Sequence, residues 1–233
     1  MSGAAPRSAV SEVLWVWGLS FAAIVVATLL FPGQAKLVAT VSFLYLPLTF
    51  MRRRDEDYRD YGVHLRAWRQ DLKWLLIFCA VIAPIFTLGY WGFVQLLDHL
   101  PDAWGPYLSP FPRAHAFRPR LPFRFPEWLV DQLLVVALPE EFFYRGYLQT
   151  RLRDAWPRGR KVLGARLGPA FWCTALLFAV GHLAILRPWR LGVFLPALLF
   201  GWMREKTGSV LGATLLHAFC NLLALFLETA FFR

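Results

Sequence analysis

The chain has 233 residues, of which 58% are apolar and 17% charged, and its mean hydropathy is +0.45. A soluble domain carries about 25% charged residues, so an ordinary soluble enzyme is excluded and an all-α, polytopic helical membrane bundle is expected. The formal charge of +10 is dispersed among the short connections between apolar runs, as the positive-inside rule describes, which argues against a nucleic-acid partner.

About seven transmembrane helices, in a range of six to eight, are read along the chain. Val13–Phe31 is long enough to cross a bilayer and stops at Pro32-Gly33. No small-residue cleavage pattern closes it, so it reads as a retained first helix rather than a signal peptide. Leu37–Phe50 is the second span, short unless it begins near Gln34. The stretch Met51 to Lys73, MRRRDEDYRDYGVHLRAWRQDLK, is too polar for lipid and is expected at the membrane surface, where it could form an amphipathic helix through Tyr61, Leu65 and Trp68.

Trp74–Leu97 follows as the third span, with Pro84 as a kink and Asp98-His99 at its exit. Residues 101–126 hold seven prolines and read as an aromatic-rich surface loop in which His115 is a solvated side chain. The fourth span runs from Glu127 to about Leu148, Arg151–Arg166 is a basic connection, and Pro169–Leu186, Trp189–Met203 and Val210–Phe232 complete the set. Residues 1–126 are thus read as N-terminal helices with an interfacial segment and a loop, and 127–233 as the catalytic core. The N-terminal side of this threading carries twice as many Lys and Arg as the other, which favours a cytoplasmic N-terminus. Cys79, Cys173 and Cys220 each lie in an apolar run without a CxxC, as buried thiols rather than metal ligands or a disulfide framework.

The polar residues left inside the spans carry the functional reading. Glu140, Glu141 and Arg145 stand in LLVVALPEEFFYRGYLQTRL, where a charge costs on the order of 2.5–3.5 kcal/mol on insertion scales. Glu141 and Arg145, four apart, share a helical face, and one acid satisfies the arginine. Glu140 is left over for chemistry, and Pro139 before it deprives the helix of a donor and frees a carbonyl. The fifth span holds FAVGH, with Phe178 one turn before His182 and with Gly181 allowing a neighbouring helix to approach. The seventh holds HAFCN, with His217 and Asn221 on one face and Thr214 a turn earlier, able to orient the His217 ring.

A carboxylate and a neutral imidazole can hold a water and take its proton, and a histidine N–H with an amide can stabilise the oxyanion formed at a carbonyl. EEFFYR, FAVGH and HAFCN, in that order across three late helices, resemble the three motifs of the CPBP family. These are the CAAX-processing and bacteriocin-processing membrane proteases, also called Abi or Rce1-like glutamic intramembrane proteases. The resemblance implies that Glu140 with His182 activates water, that His217 and Asn221 form the oxyanion hole, and that Glu141 and Arg145 support the site without a cofactor. It also implies a membrane-protein or lipidated-peptide substrate, processed at a C-terminal, sorting or CAAX-like tail, in a prokaryotic inner membrane. Two alternatives remain beside it: a zinc-dependent hydrolase with Glu140, His182 and His217 as ligands, and a non-enzymatic membrane immunity or scaffold protein that uses the polar cluster to bind a partner.

Overall fold

The computed structural model describes residues 6–97, 99 and 116–232, with side chains from residue 8 onward. Seven helices account for most of the described residues. They are α1 (Pro6–Leu30), α2 (Ala35–Arg53), α3 (Trp68–Leu97), α4 (residues 125–155), α5 (Pro169–Gly181), α6 (Phe194–Thr207) and α7 (Leu211–Phe232). Their limits follow local chemistry. Pro32 and Gly33 end α1, Pro169 opens α5 in the first turn where its missing N–H costs nothing, and Gly208 closes α6 at φ +74°, a conformation glycine adopts without strain.

Among the described residues four stretches are long and apolar enough to cross a membrane: Ser8–Leu30, Pro32–Arg53, Trp68–Leu97 and Leu211–Phe232. Their exposed faces carry large apolar side chains such as Leu30, Leu76, Leu88 and Trp91, which suits contact with lipid. The chain is an integral membrane protein. The remaining three helices are shorter or carry charge, so lipid faces of their own do not define them. α5 and α6 have 13 and 14 residues, or roughly 20 Å each at the α-helical rise, below the ~30 Å of the hydrocarbon core.

One expectation is corrected. Residues 54–67 do not form an amphipathic surface helix. Asp55 and Gly62 have positive φ, a single 3₁₀ turn spans Tyr58–Tyr61, and helix resumes only at Trp68. The basic connection after α4, as expected a link between helices, contains a short hairpin. Arg160–Val162 (β1) and Ala165–Leu167 (β2) pair antiparallel through a Leu163-Gly164 turn in which both residues have positive φ. Of the proline-rich loop, residues 101–115, with Trp104, Tyr107, Phe111 and His115, lie outside the described residues, as does Asp98. Its last part is described: Arg118 N–H donates to Ala230 O at 3.0 Å, and the Phe117 ring lies 5.1 Å from Phe231 near the end of α7.

One apolar cluster draws on both sides of residue 126, including Val16 of α1, Phe43 of α2, Phe143 of α4, Phe178 of α5, Phe200 of α6 and Leu216 of α7. A polar layer at one end fixes the alternating direction of the helices. Arg54, just after α2, bonds Glu12 of α1 at 2.6 Å and Glu56 at 2.7 Å, and Arg151 near the end of α4 reaches the same Glu12 at 3.2 Å. Tyr61 donates to Glu56 at 2.6 Å and Tyr147 donates to Glu12. Burial, and then the Glu56 carboxylate beside it, raise the Tyr61 phenol above its ordinary pKa.

α4 is the element that positions the site. Its hydrogen bonding widens to the π type over Asp131–Ala137 and again over Phe142–Leu148, on either side of Leu138–Glu141. Pro139 has no N–H to give Val135 O, its partner one α-helical turn back. The Thr40 hydroxyl of α2 lies 2.9 Å from that oxygen and 3.0 Å from Lys36 O of its own helix, and its one proton, given to the first, pairs the carbonyl from a neighbouring helix. Thr40→Val is expected to cost about 1 kcal/mol, read as a lowered unfolding temperature in detergent with the helical content unchanged.

Candidate active site

Three helices converge on one carboxylate. Glu140 follows Pro139 in α4, His182 stands where α5 tightens into the 3₁₀ turn His182–Ile185, and His217 lies in the second turn of α7. Glu140 Oε2 is 3.9 Å from His182 Nε2 and 4.0 Å from His217 Nε2. That oxygen is buried and has no direct hydrogen-bond partner. The spacing is too long for direct bonds, and a single water oxygen off the line would lie within ~2.8 Å of Glu140 and either ring.

Behind His217 stands the other acid. His217 Nδ1 is 2.8 Å from Glu141 Oε1, and Arg145 donates to the same oxygen at 3.0 Å. Both members of the Glu141–Arg145 pair are fully buried, at 0% and 1% side-chain exposure, so neither charge has water to fall back on. Arg145 spends a second donor on Ala197 O at 3.0 Å and lays its guanidinium 4.2 Å from the centre of the Phe178 ring. Phe200 stacks on His217 with centroids 4.7 Å apart and planes within 12°. Glu141 and Arg145 thus hold the His217 ring, while Glu140 faces the space between the two imidazoles.

The partners fix the tautomers. A carboxylate and a carbonyl can only accept, so His217 Nδ1 donates to Glu141 and His182 Nδ1 donates to Phe178 O at 2.9 Å. In the neutral rings both Nε2 atoms are then acceptors aimed at the Glu140 side. Such a set can order a water and receive its proton. For His217 to donate to an oxyanion as well, its Nε2 must carry a second proton, so that role belongs to the imidazolium, with Glu141 as its counter-ion. Zinc suits this donor set in kind, but the Glu140–imidazole separations exceed the ~3.3 Å edges of a tetrahedral site with Zn–N near 2.0–2.1 Å. As placed, the three side chains do not fit that ion.

Asn221 has its hydrogen-bond partner outside this cluster. It lies one turn beyond His217, and its amide donates to Gln132 Oε1 at 2.9 Å, leaving one N–H. Gln132 escaped the reading of the sequence, although an amide in the apolar run two turns before Glu140 was a visible signal. Thr214 does not orient His217, since its hydroxyl donates to Val210 O at 2.9 Å in its own helix and Glu141 takes that part. Phe200 had no signal at all, because an aromatic in an apolar helix reads as core. Arg190, in the turn Pro188–Val193 that follows His182, places a cation whose field acts on both Glu140 and His182.

Gly181 serves a closer approach than that of a whole helix. A Cβ there would lie 2.3 Å from the Tyr144 hydroxyl, whose ring packs edge-on against Phe178 at 4.9 Å. Gly181→Ala must therefore displace either Tyr144 or the turn bearing His182. We expect it to lower activity and stability together, and expect Tyr144→Phe to restore part of both in the double variant, measured as a double-mutant cycle.

Residues 122–223 match the family described as type II CAAX prenyl endopeptidase, Rce1-like, and the matched stretch contains all three motifs. No curated protein and no solved structure matches the chain.

Proposed function

Taking as premise that residues 122–223 are an Rce1-like domain of the CAAX-protease family, we propose that this membrane protein is a glutamic-type intramembrane endopeptidase. The observation that carries the mechanism is Glu140 Oε2 standing about equally far, 3.9 and 4.0 Å, from two imidazoles whose other nitrogens are already engaged. Glu140 with His182 takes a proton from water, and the hydroxide attacks the carbonyl carbon of the scissile peptide bond. The negative charge developing on the carbonyl oxygen is met by the His217 imidazolium and by the free N–H of Asn221. Collapse of the tetrahedral intermediate breaks the C–N bond, and the proton held by the Glu140–His182 pair passes to the leaving amine. Gln132 holds the Asn221 amide, and Glu141 with Arg145 holds His217.

The substrate is a peptide bond in or beside a membrane segment, or next to a lipidated residue, at a C-terminal, sorting or CAAX-like tail. α4, α5 and α6 complete a body of about seven membrane helices. The polar layer of Arg54, Glu56 and Arg151 lies on the side with the larger share of Lys and Arg, which is the cytoplasmic side, and the N-terminus lies there too. The test is cleavage of a farnesylated C-terminal peptide by the purified protein in liposomes. Wild type should cut it, and should still do so after exhaustive chelation. Loss of cleavage on chelation with recovery on zinc would replace the metal-free route by the zinc-dependent one.

A further inference from the structure

The polar stretch between α2 and α3 borders a pocket outside the candidate active site. His64, residues 66–70 and Thr207 line a pocket of about 650 Å³ at the head of α3. Its charged lining is of one sign: Arg66 and Arg69, with His64 and Gln70 beside them and no carboxylate. In the neighbouring polar layer Arg54 is paired with Glu12 and Glu56, and Arg151 with Glu12. Among the described residues Arg66 and Arg69 bond no carboxylate, and Arg69 rests over the Trp68 ring at 5.4 Å from its centre. His64 keeps a buried Nδ1 without a partner. Asp71, the nearest acid in sequence, does not line the pocket. Its side chain turns the other way, against Gly212 at the start of α7, where an added Cβ would lie 2.6 Å from Oδ1.

Depth decides what such a pocket meets. Trp68 is both its wall and the first residue of a 30-residue span, so the two guanidinium groups sit within one turn of the start of the hydrocarbon-crossing helix. That is the level of lipid phosphates, where interfacial Trp and Arg reside. Guanidinium forks match phosphate oxygens in pairs. We propose that this pocket binds the phosphate group of an anionic phospholipid. Such a lipid would tie the α2–α3 connection and the α6 end to the bilayer, independently of whether the protein cleaves peptides.

The test compares two double variants with the same loss of charge, Arg66→Gln/Arg69→Gln in the pocket and Arg52→Gln/Arg53→Gln outside it. Retention of phosphatidylglycerol against phosphatidylcholine is measured by native mass spectrometry of protein released from mixed nanodiscs. Protection by inorganic phosphate is measured in parallel by thermal unfolding in lipid-free detergent. The control pair loses only the general attraction of about 1 kcal/mol per basic residue near an anionic surface, and the pocket pair should lower the preference for phosphatidylglycerol roughly tenfold further. Equal losses from both pairs, or no loss from the pocket pair, would overturn the proposal. A phosphate effect that depends on the pocket pair without any change in lipid retention would also overturn it, by assigning the site to soluble phosphate.

Discussion

Glu140→Gln is expected to reduce peptide cleavage by roughly 10²–10⁴-fold, the usual contribution of a positioned general base, without lowering the unfolding temperature. The substitution keeps the shape of the side chain and removes its basicity. Its structural neutrality follows from the surroundings, because Oε2 has no direct hydrogen-bond partner to lose and the nearest imidazole nitrogens are 3.9 and 4.0 Å away. Initial rates in liposomes, with thermal unfolding of the same preparations, separate the two effects. A variant that unfolds earlier would show that Glu140 is part of the scaffold. A stable variant that still cleaves at wild-type rate would remove Glu140 from the chemistry.

The adjacent acid should behave in the opposite way. Glu141→Ala or Arg145→Ala leaves an uncompensated charge at a fully buried position, and such a break costs about 3–5 kcal/mol. Each single variant is expected to unfold at a much lower temperature and to accumulate poorly in the membrane. The Glu141→Gln/Arg145→Met double variant, which removes both charges and keeps volume, should recover a large part of the stability. It should not recover activity, because His217 Nδ1 then lacks its carboxylate. Denaturation curves of the wild type, Glu141→Gln, Arg145→Met and their double variant measure the coupling directly, and additive losses would contradict a shared ion pair. Two neighbouring glutamates thus separate into one whose loss is read in rate and one whose loss is read in stability.

Much of this was legible in the chain because lipid makes polar residues conspicuous. Glu140, Glu141, Arg145, His182 and His217 stood out as costly groups in apolar helices, and their spacing gave the Glu141–Arg145 pair. The helix limits at Pro32, Pro169 and Gly208 were readable for the same local reasons that produce them. Longer-range facts were not. Which nitrogen of His217 meets which acid depends on how α7 is rotated against α4, and no periodicity fixes a rotation. That Thr40 takes up the carbonyl behind Pro139 required knowing which helix lies there. The β1–β2 hairpin was hidden by its shortness, three residues a strand in a stretch dominated by arginine and lysine. A surface helix within Met51 to Lys73 was expected from the helical spacing of Tyr61, Leu65 and Trp68, but Gly62 in the left-handed region interrupts it and lets Val210 N–H reach Gly62 O at 2.9 Å.

The account stands on Glu140 acting as the base of a peptide hydrolase in the membrane. The most direct measurement is mass spectrometry of the new protein termini in membranes of cells that express either the wild type or Glu140→Gln at equal abundance. Termini present with the wild type and absent with the variant, clustered in or beside membrane segments or lipidated tails, are the predicted result. The same set of termini in both would contradict it.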